Sequence, residues 1–410
     1  MHKRPLWLWL LFPALTMSLG WGLRGFIGGG PLGAMIPGAL VAMCLCLLLE
    51  RDGEDAAVIA AFGAVGIGFG GQETYGQTIG LAFQPETHWW GILGLAIKGA
   101  VWGLLGGVVV GLAFWRDRVS RRDIVIGFAL MLAATYAGWR LINEPKLIYF
   151  SNRLDRPRPE LYAGLLLGAL ALLGYLWRAI PKGFALWPAI GGGFGFGFGG
   201  WIQVMGRAYD PTPWLGWWKV MELHFGFCFG LALGYCAWKQ REVLPGAEPR
   251  RSSSCLPALI VVPAALYAAG HIGSRMSYSI LGAALMVLVL YRKDVAWHVA
   301  VTMTYCAYSI DFQRNRPQFD SWWLWVGIAA STAVIACLVS RWDRVTPIFL
   351  LLLWTAVANS MAKSFVPWKW QVESAVMEGV FVLLAGLSTI LAGIIAKRSS
   401  TGNLSPARND

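Results

Sequence analysis

The chain has 410 residues, of which 57% are apolar and only 14% charged, with a mean hydropathy of +0.55. Water-soluble domains carry about a quarter of their residues charged, so a soluble enzyme or binding module is excluded. The net charge of +12 is dispersed over short segments between apolar runs, and no soluble basic domain exists to hold nucleic acid.

Apolar runs recur from end to end, and a helix needs about 20 residues to cross a bilayer. The predicted spans, in chain order, are 6–22, 33–49, 56–71, 89–114, 123–140, 161–178, 185–200, 213–238, 256–271, 277–291, 295–310, 321–340, 346–361 and 375–396. The first follows His2, Lys3 and Arg4 as a signal peptide would. Gly-Trp-Gly-Leu-Arg then stands where a small-residue cleavage site belongs, so it reads as a retained helix. The expected fold is an all-α polytopic membrane protein of about 14 transmembrane helices. With the N-terminus inside, 20 of the 34 Lys and Arg fall in cytoplasmic segments and 12 on the other side. This bias predicts both termini in the cytoplasm and, for a bacterial cell, the inner membrane. The acidic stretch 50–55 dissents, but acidic residues contribute little to that rule.

Internal similarity divides the chain. First spans end in GWGLRG at 20–25, GWR at 138–140 and GHIGSR at 270–275; fourth spans open on Trp pairs at 89–90, 217–218 and 322–323. Three parallel four-helix repeats are expected at 5–120, 121–250 and 251–345, with a final helix pair at 346–396 and a cytoplasmic tail at 397–410. The third spans are short and rich in glycine, notably GIGFGGQETYGQ at 66–77 and GGGFGFGFGG at 191–200. Such stretches are either broken helices lining a site or helices packed closely through small residues. Glycine at four-residue spacing, Gly99 to Gly111 and Gly226 to Gly234, reads as a packing stripe.

Candidate chemistry gathers at the outer ends of these spans. Arg24, Arg140 and Arg275 close the first spans, and Glu73, Gln77, Arg207, His271, Asp311 and Arg314 lie in neighbouring turns. Arginine pairs bidentately with carboxylate, phosphate or sulfate, so a cationic ring with interspersed carboxylates suits a small anionic ligand. Lys98 and Glu222 fall at matching depths in the fourth and eighth spans and are expected to form a buried ion pair, with His224 nearby. The seven cysteines lack metal-type spacing, and neither a metal nor a cofactor is expected. Two functions remain. The first is a transporter or channel for a small organic or inorganic anion, open to the extracytoplasmic face. The weaker alternative is a membrane-embedded enzyme acting on a lipid-linked or extracytoplasmic substrate, with Glu73, Asp311 or His271 as acid or base, although no nucleophile or metal motif supports it. The substrate, the coupling ion and the oligomeric state are not legible in the residues.

Overall fold

The structure, a computed structural model, describes residues 4–151, 158–210, 214–243, 254–271, 276–314, 321–365 and 372–402. The described residues form helices and no strands. In order these are α1 (Leu6–Ile27), α2 (Gly30–Leu48), α3 (Gly53–Gly70), α4 (Gly76–Ala82), α5 (His88–Trp115), α6 (Arg121–Gly138), α7 (Tyr162–Tyr175), α8 (Gly183–Tyr209), α9 (Trp217–Gln240), α10 (Leu256–His271), α11 (Ser277–Tyr291), α12 (Met303–Arg314), α13 (Trp322–Arg341), α14 (Val345–Phe365) and α15 (Val372–Gly402). The predicted spans overlap these helices, the eleventh only partly, since a π-helical turn at His298–Thr302 precedes α12, and nine helices among the described residues are long and apolar enough to cross a membrane. Large apolar side chains such as Leu130, Phe194, Leu259, Ile260 and Ile390 face outward, a surface that only lipid or another apolar partner would cover. The protein is a multi-pass, all-helical membrane protein.

Sequence explains the helix ends locally. Gly29 and Gly30, at φ +51° and +49°, turn the chain between α1 and α2, and Pro31 follows in the first turn of α2, where its missing N–H costs nothing. Ser120 caps α6 by accepting the Asp123 N–H at 3.0 Å.

Four helices form a welded row in the order α5, α8, α9, α1. Pro13 lacks an N–H, so it leaves the carbonyl of Trp9 without its usual helical donor; Pro188 does the same to Phe184. Glycines of the facing helix lie directly over these carbonyls. Gly234, Gly230 and Gly226 of α9 meet the carbonyls of Trp9, Pro13 and Met17, while Gly107, Gly103 and Gly99 of α5 meet those of Phe184, Pro188 and Gly192. The two antiparallel contacts repeat residue for residue at a spacing of four. A Cβ at any of these glycines would enter the opposing backbone, so the stripe is an approach of backbone to backbone.

The same packing corrects one expectation. The glycine-rich seventh span is not a broken helix: α8 runs unbroken for 27 residues. Its glycines admit α5 on one face, through Gly192 against Gly99, and α9 on another, through Gly195 against Phe225 and Cys228. Burial on two faces outweighs the roughly 1 kcal/mol that each interior glycine costs. The interruption follows α3 instead, at Gly71.

Candidate functional site

Past Gly70 the chain leaves the helix for five residues before α4 begins at Gly76. This strap is largely buried, with Gln72 and Glu73 at 7% and 5% exposure. Gly71 lies against the Gly30 carbonyl and Pro31, where no side chain fits, and so holds the strap on the α1–α2 turn. Irregular buried backbone is tolerated at membrane depth only when its polar groups are satisfied by protein or by a cavity. Here consecutive side chains reach different helices. The Gln72 amide donates to Ser279 Oγ at 2.7 Å and accepts the Ser279 N–H at 3.2 Å, which ties the strap to α11.

Glu73 reaches α5, where Lys98 is 1% exposed. The Lys98 ammonium contacts Glu73 Oε1 at 3.0 Å, Glu160 Oε1 at 2.7 Å, the Thr74 carbonyl at 2.7 Å and Thr78 Oγ1 at 2.8 Å. The Glu73 carboxylate also accepts the N–H groups of Leu161 at 2.6 Å and Thr74 at 3.0 Å. Glu160 lies in the connection before α7 and takes only the Phe150 N–H, shared by both its oxygens at 3.2 Å. Burial pushes the Glu160 carboxyl above the ordinary carboxylate range; Lys98 pulls it down and the Glu73 charge pushes it further up.

Tyr75 closes the strap and makes the second polar group. Its hydroxyl accepts from Arg24 Nη1 at 2.9 Å and donates to Glu222 Oε1 at 2.5 Å. Glu222 also receives Trp218 Nε1 at 3.0 Å and Lys219 Nζ at 2.6 Å. Gly25 makes room for this carboxylate, since a Cβ there would stand 2.6 Å from Oε1. Arg24 is 4% exposed and lies among the rings of Trp21, Tyr75 and Trp102, with its Cζ 5.0–5.5 Å from their centroids. Beyond Tyr75 its only hydrogen bond goes to the Gly30 carbonyl at 3.4 Å. Its Nε has none, and no carboxylate lies within ion-pair reach among the described residues. Trp21 Nε1 is likewise unpartnered and buried.

Two further features border this group. Lys219 and Lys363 approach the Phe26 ring at 5.6 and 5.7 Å, and Lys363 pairs with Asp311 at 3.0 Å while donating to the Phe26 carbonyl. Phe196 of α8 meets the Tyr75 ring at 4.9 Å, and Gln203 follows two turns later on the same face of α8. Gln203 is fully buried, yet neither its amide nitrogen nor its oxygen has a partner. A buried amide left so costs about 1–3 kcal/mol.

The structure therefore brings together part of the predicted constellation. Arg24 reaches the strap through Tyr75, two residues from Glu73 but not in contact with it, and Asp311 joins the same end through Lys363. Gln77, half-buried at the start of α4, accepts the Arg158 N–H at 3.3 Å. Arg140 does not converge with Arg24. The chain continues past Gly138 in a π-helical turn, Trp139–Asn143, which leaves Arg140 half-exposed beside Trp139 and paired with Glu144 four residues on. Arg207 is exposed over the Phe83 ring at 5.4 Å. Arg275 and the side chains of His271 and Arg314 lie outside the described residues. Lys98 and Glu222 are each buried in an ion pair, but not with one another. Glu73 of the strap and Glu160 of the connection before α7 take the lysine, and Lys219, one turn earlier on α9, takes the glutamate. His224 bonds the Gly195 carbonyl through Nδ1 at 2.8 Å and stands apart from the pair.

Glu160 and Lys219 were not singled out by sequence reasoning. A lone buried lysine signals that an acid must exist, but not that it comes from a connection 62 residues away. No family model, curated protein or solved structure matches the chain. Among the described residues no group of three His, Cys, Asp or Glu is arranged to hold a metal ion. The chemistry of the site is that of opposite charges held in a dry interior, with one guanidinium short of a counter-charge.

Proposed function

We propose that the protein carries a small organic or inorganic anion through the membrane as a transporter or channel, with the anion seated at Arg24. The reading includes about fourteen spans in three parallel four-helix units and a final pair, an inner-membrane location, cytoplasmic termini and a site reached from the extracytoplasmic side. One observation carries it: Arg24 is a buried, permanently charged group with no carboxylate partner among the described residues. Burying an unpaired charge costs several kcal/mol unless a counter-ion is supplied. A carboxylate, phosphate or sulfate would supply it, gripping the guanidinium fork beside Trp21 and Trp102. The unpartnered Nε of Arg24 and the indole N–H of Trp21 are the further donors such an anion needs. Buried irregular backbone next to the site is the feature expected of transporter binding sites.

The test uses the full chain in lipid nanodiscs, with thermal unfolding followed in acetate, succinate, phosphate and sulfate. At least one of these anions should raise stability, by about 2.7 kcal/mol at one hundred times its Kd. Arg24→Lys, which keeps the charge and loses the fork, should abolish that rise. The same anion, radiolabelled, should exchange into proteoliposomes bearing the parent but not the variant. No stabilisation by any of the four, or equal stabilisation of Arg24→Lys, overturns the proposal.

A further inference from the structure

The group around Lys98 contains a surplus that its geometry cannot resolve with the protons of the lysine alone. An ammonium has three hydrogens, and four oxygens stand within 3.0 Å of Lys98 Nζ. Two of the four belong to carboxylates whose side chains are at most 3% exposed, so one positive charge faces two negative ones in a dry interior. The other charged or titratable groups nearby do not cancel the excess. Tyr162 on α7 donates its hydroxyl to the Ile148 carbonyl at 3.1 Å, and Arg158 is exposed on the outer side of Gly76. On the other side of the strap Lys219 pairs with Glu222 and also feels the buried Glu378, which leaves Arg24 as the group there without a direct carboxylate partner among the described residues.

We infer that the Glu73–Lys98–Glu160 group is a proton-binding site, with Glu160 as the proton acceptor, and that its occupancy is coupled through the strap to the anion at Arg24. The coupling rests on the transport reading above; the proton site does not. A proton on Glu160 turns its carboxylate into a carboxylic acid and removes the excess negative charge. Glu160 is the acceptor because Glu73 already receives two N–H groups besides the ammonium, whereas Glu160 receives one divided N–H. Its raised carboxyl agrees with that assignment. Access is short, since Arg158 and Pro159 just before it are exposed. Glu73 and Tyr75 are two residues apart on one strap, so a change of charge at the first is felt at the residue holding Arg24. One proton at Glu160 and one monoanion at Arg24 carry opposite charges, which makes their joint movement electroneutral.

The experiment is infrared spectroscopy of the full chain in nanodiscs, titrated between about pH 5 and pH 9 without added ligand. A protonated-carboxyl C=O band should be present at the acid end and fade as pH rises. It should be missing in Glu160→Gln and retained in Arg24→Lys, and in Glu160→Asp it should return with a shifted midpoint, which guards against a variant that merely misfolds. A band unchanged in Glu160→Gln, or no titrating band, overturns the proton site. In a second arm, the Kd of whichever of the four anions stabilises the parent should weaken about tenfold per pH unit above the midpoint and become flat in Glu160→Gln. A pH-independent Kd in the parent overturns the coupling. A titrating band with no anion binding would leave the proton site standing and defeat the anion reading, so the two failures are told apart.

Discussion

One phenolic oxygen keeps Arg24 and Glu222 connected without letting them touch. In Tyr75→Phe the guanidinium keeps only the distant Gly30 carbonyl, and Glu222 loses one of its three donors. The expected loss is about 1–3 kcal/mol in equilibrium or thermal unfolding; a variant as stable as the parent would mean that this relay is not made. The role of single residues was partly legible in the sequence. A charged residue inside an apolar run has to be paired, which singled out Lys98 and Glu222 from spacing alone. Their partners were not legible, because pairing depends on how a polar strap folds back between helices, and hydropathy carries no record of that. Tyr75 and Gln203 were visible only as polar residues following glycines; nothing in their spacing says that one would bridge two charges and the other stand without a partner.

Helices themselves were the most legible elements, since twenty apolar residues in lipid have few alternatives to a helix. The interrupted stretch after α3 was legible as glycine and polar residues together, whereas the continuity of α8 was not, because it is decided by the backbones of α5 and α9 filling the space its missing side chains leave. That contrast yields a prediction with a sign. By helix propensity alone, any interior Gly→Ala should stabilise by up to about 1 kcal/mol. Gly327→Ala and Gly386→Ala, where a Cβ meets nothing within 4 Å, should follow that rule. Gly103→Ala should do the opposite, since its methyl group would enter the Pro188 carbonyl, and should cost about 1–3 kcal/mol as α5 and α8 separate. Thermal unfolding of the three variants in nanodiscs checks this; a stabilised Gly103→Ala would contradict the backbone contact.

At the scale of the whole molecule, charge is sorted between two ends. The strap and its charged groups occupy one. At the other, the acidic stretch that dissented from the positive-inside bias collects basic residues from four separate segments: Arg4 on Glu50 at 2.9 Å, Arg344 on Asp52 at 3.1 Å, Lys293 on Glu54 at 3.5 Å, and Arg116 on Asp55, which also holds Arg51 at 2.7 Å. Arg4, Asp55, Arg51 and Arg116 are the enclosed members, with side chains at most 10% exposed. Asp55→Asn therefore leaves Arg51 without its carboxylate and Arg116 with only the exposed Asp117 at 3.8 Å, and should cost about 3–5 kcal/mol, read as a lowered unfolding midpoint, whereas Asp294→Asn, at a residue that pairs with the exposed Arg292, should cost little. Orientation is testable with cysteines at Asp117 and Lys146, exposed sites at opposite ends, in a background lacking Cys228, Cys255 and Cys337. A membrane-impermeant thiol reagent applied to intact cells should label the second and not the first, and the reverse pattern would invert the topology.

The glycine–carbonyl contacts also divide the molecule mechanically. Where backbone meets backbone there is no side chain to bend, so α5, α8, α9 and α1 cannot slide past one another without collision; they move as one body, a stator. The helices on the other side hold less tightly, the apolar windows of α13, α14 and α15 being 28%, 44% and 28% buried. Where the row meets α14, Phe26 of α1 has Lys219 of the same row and Lys363 of α14 against its ring. These like charges are drawn to the ring and to their own carboxylates, and none of those attractions joins one lysine to the other. A displacement of α14 against the row would have to break the contacts that Lys363 makes with the carbonyl and the ring of Phe26, so that lysine is the latch such a movement would have to release.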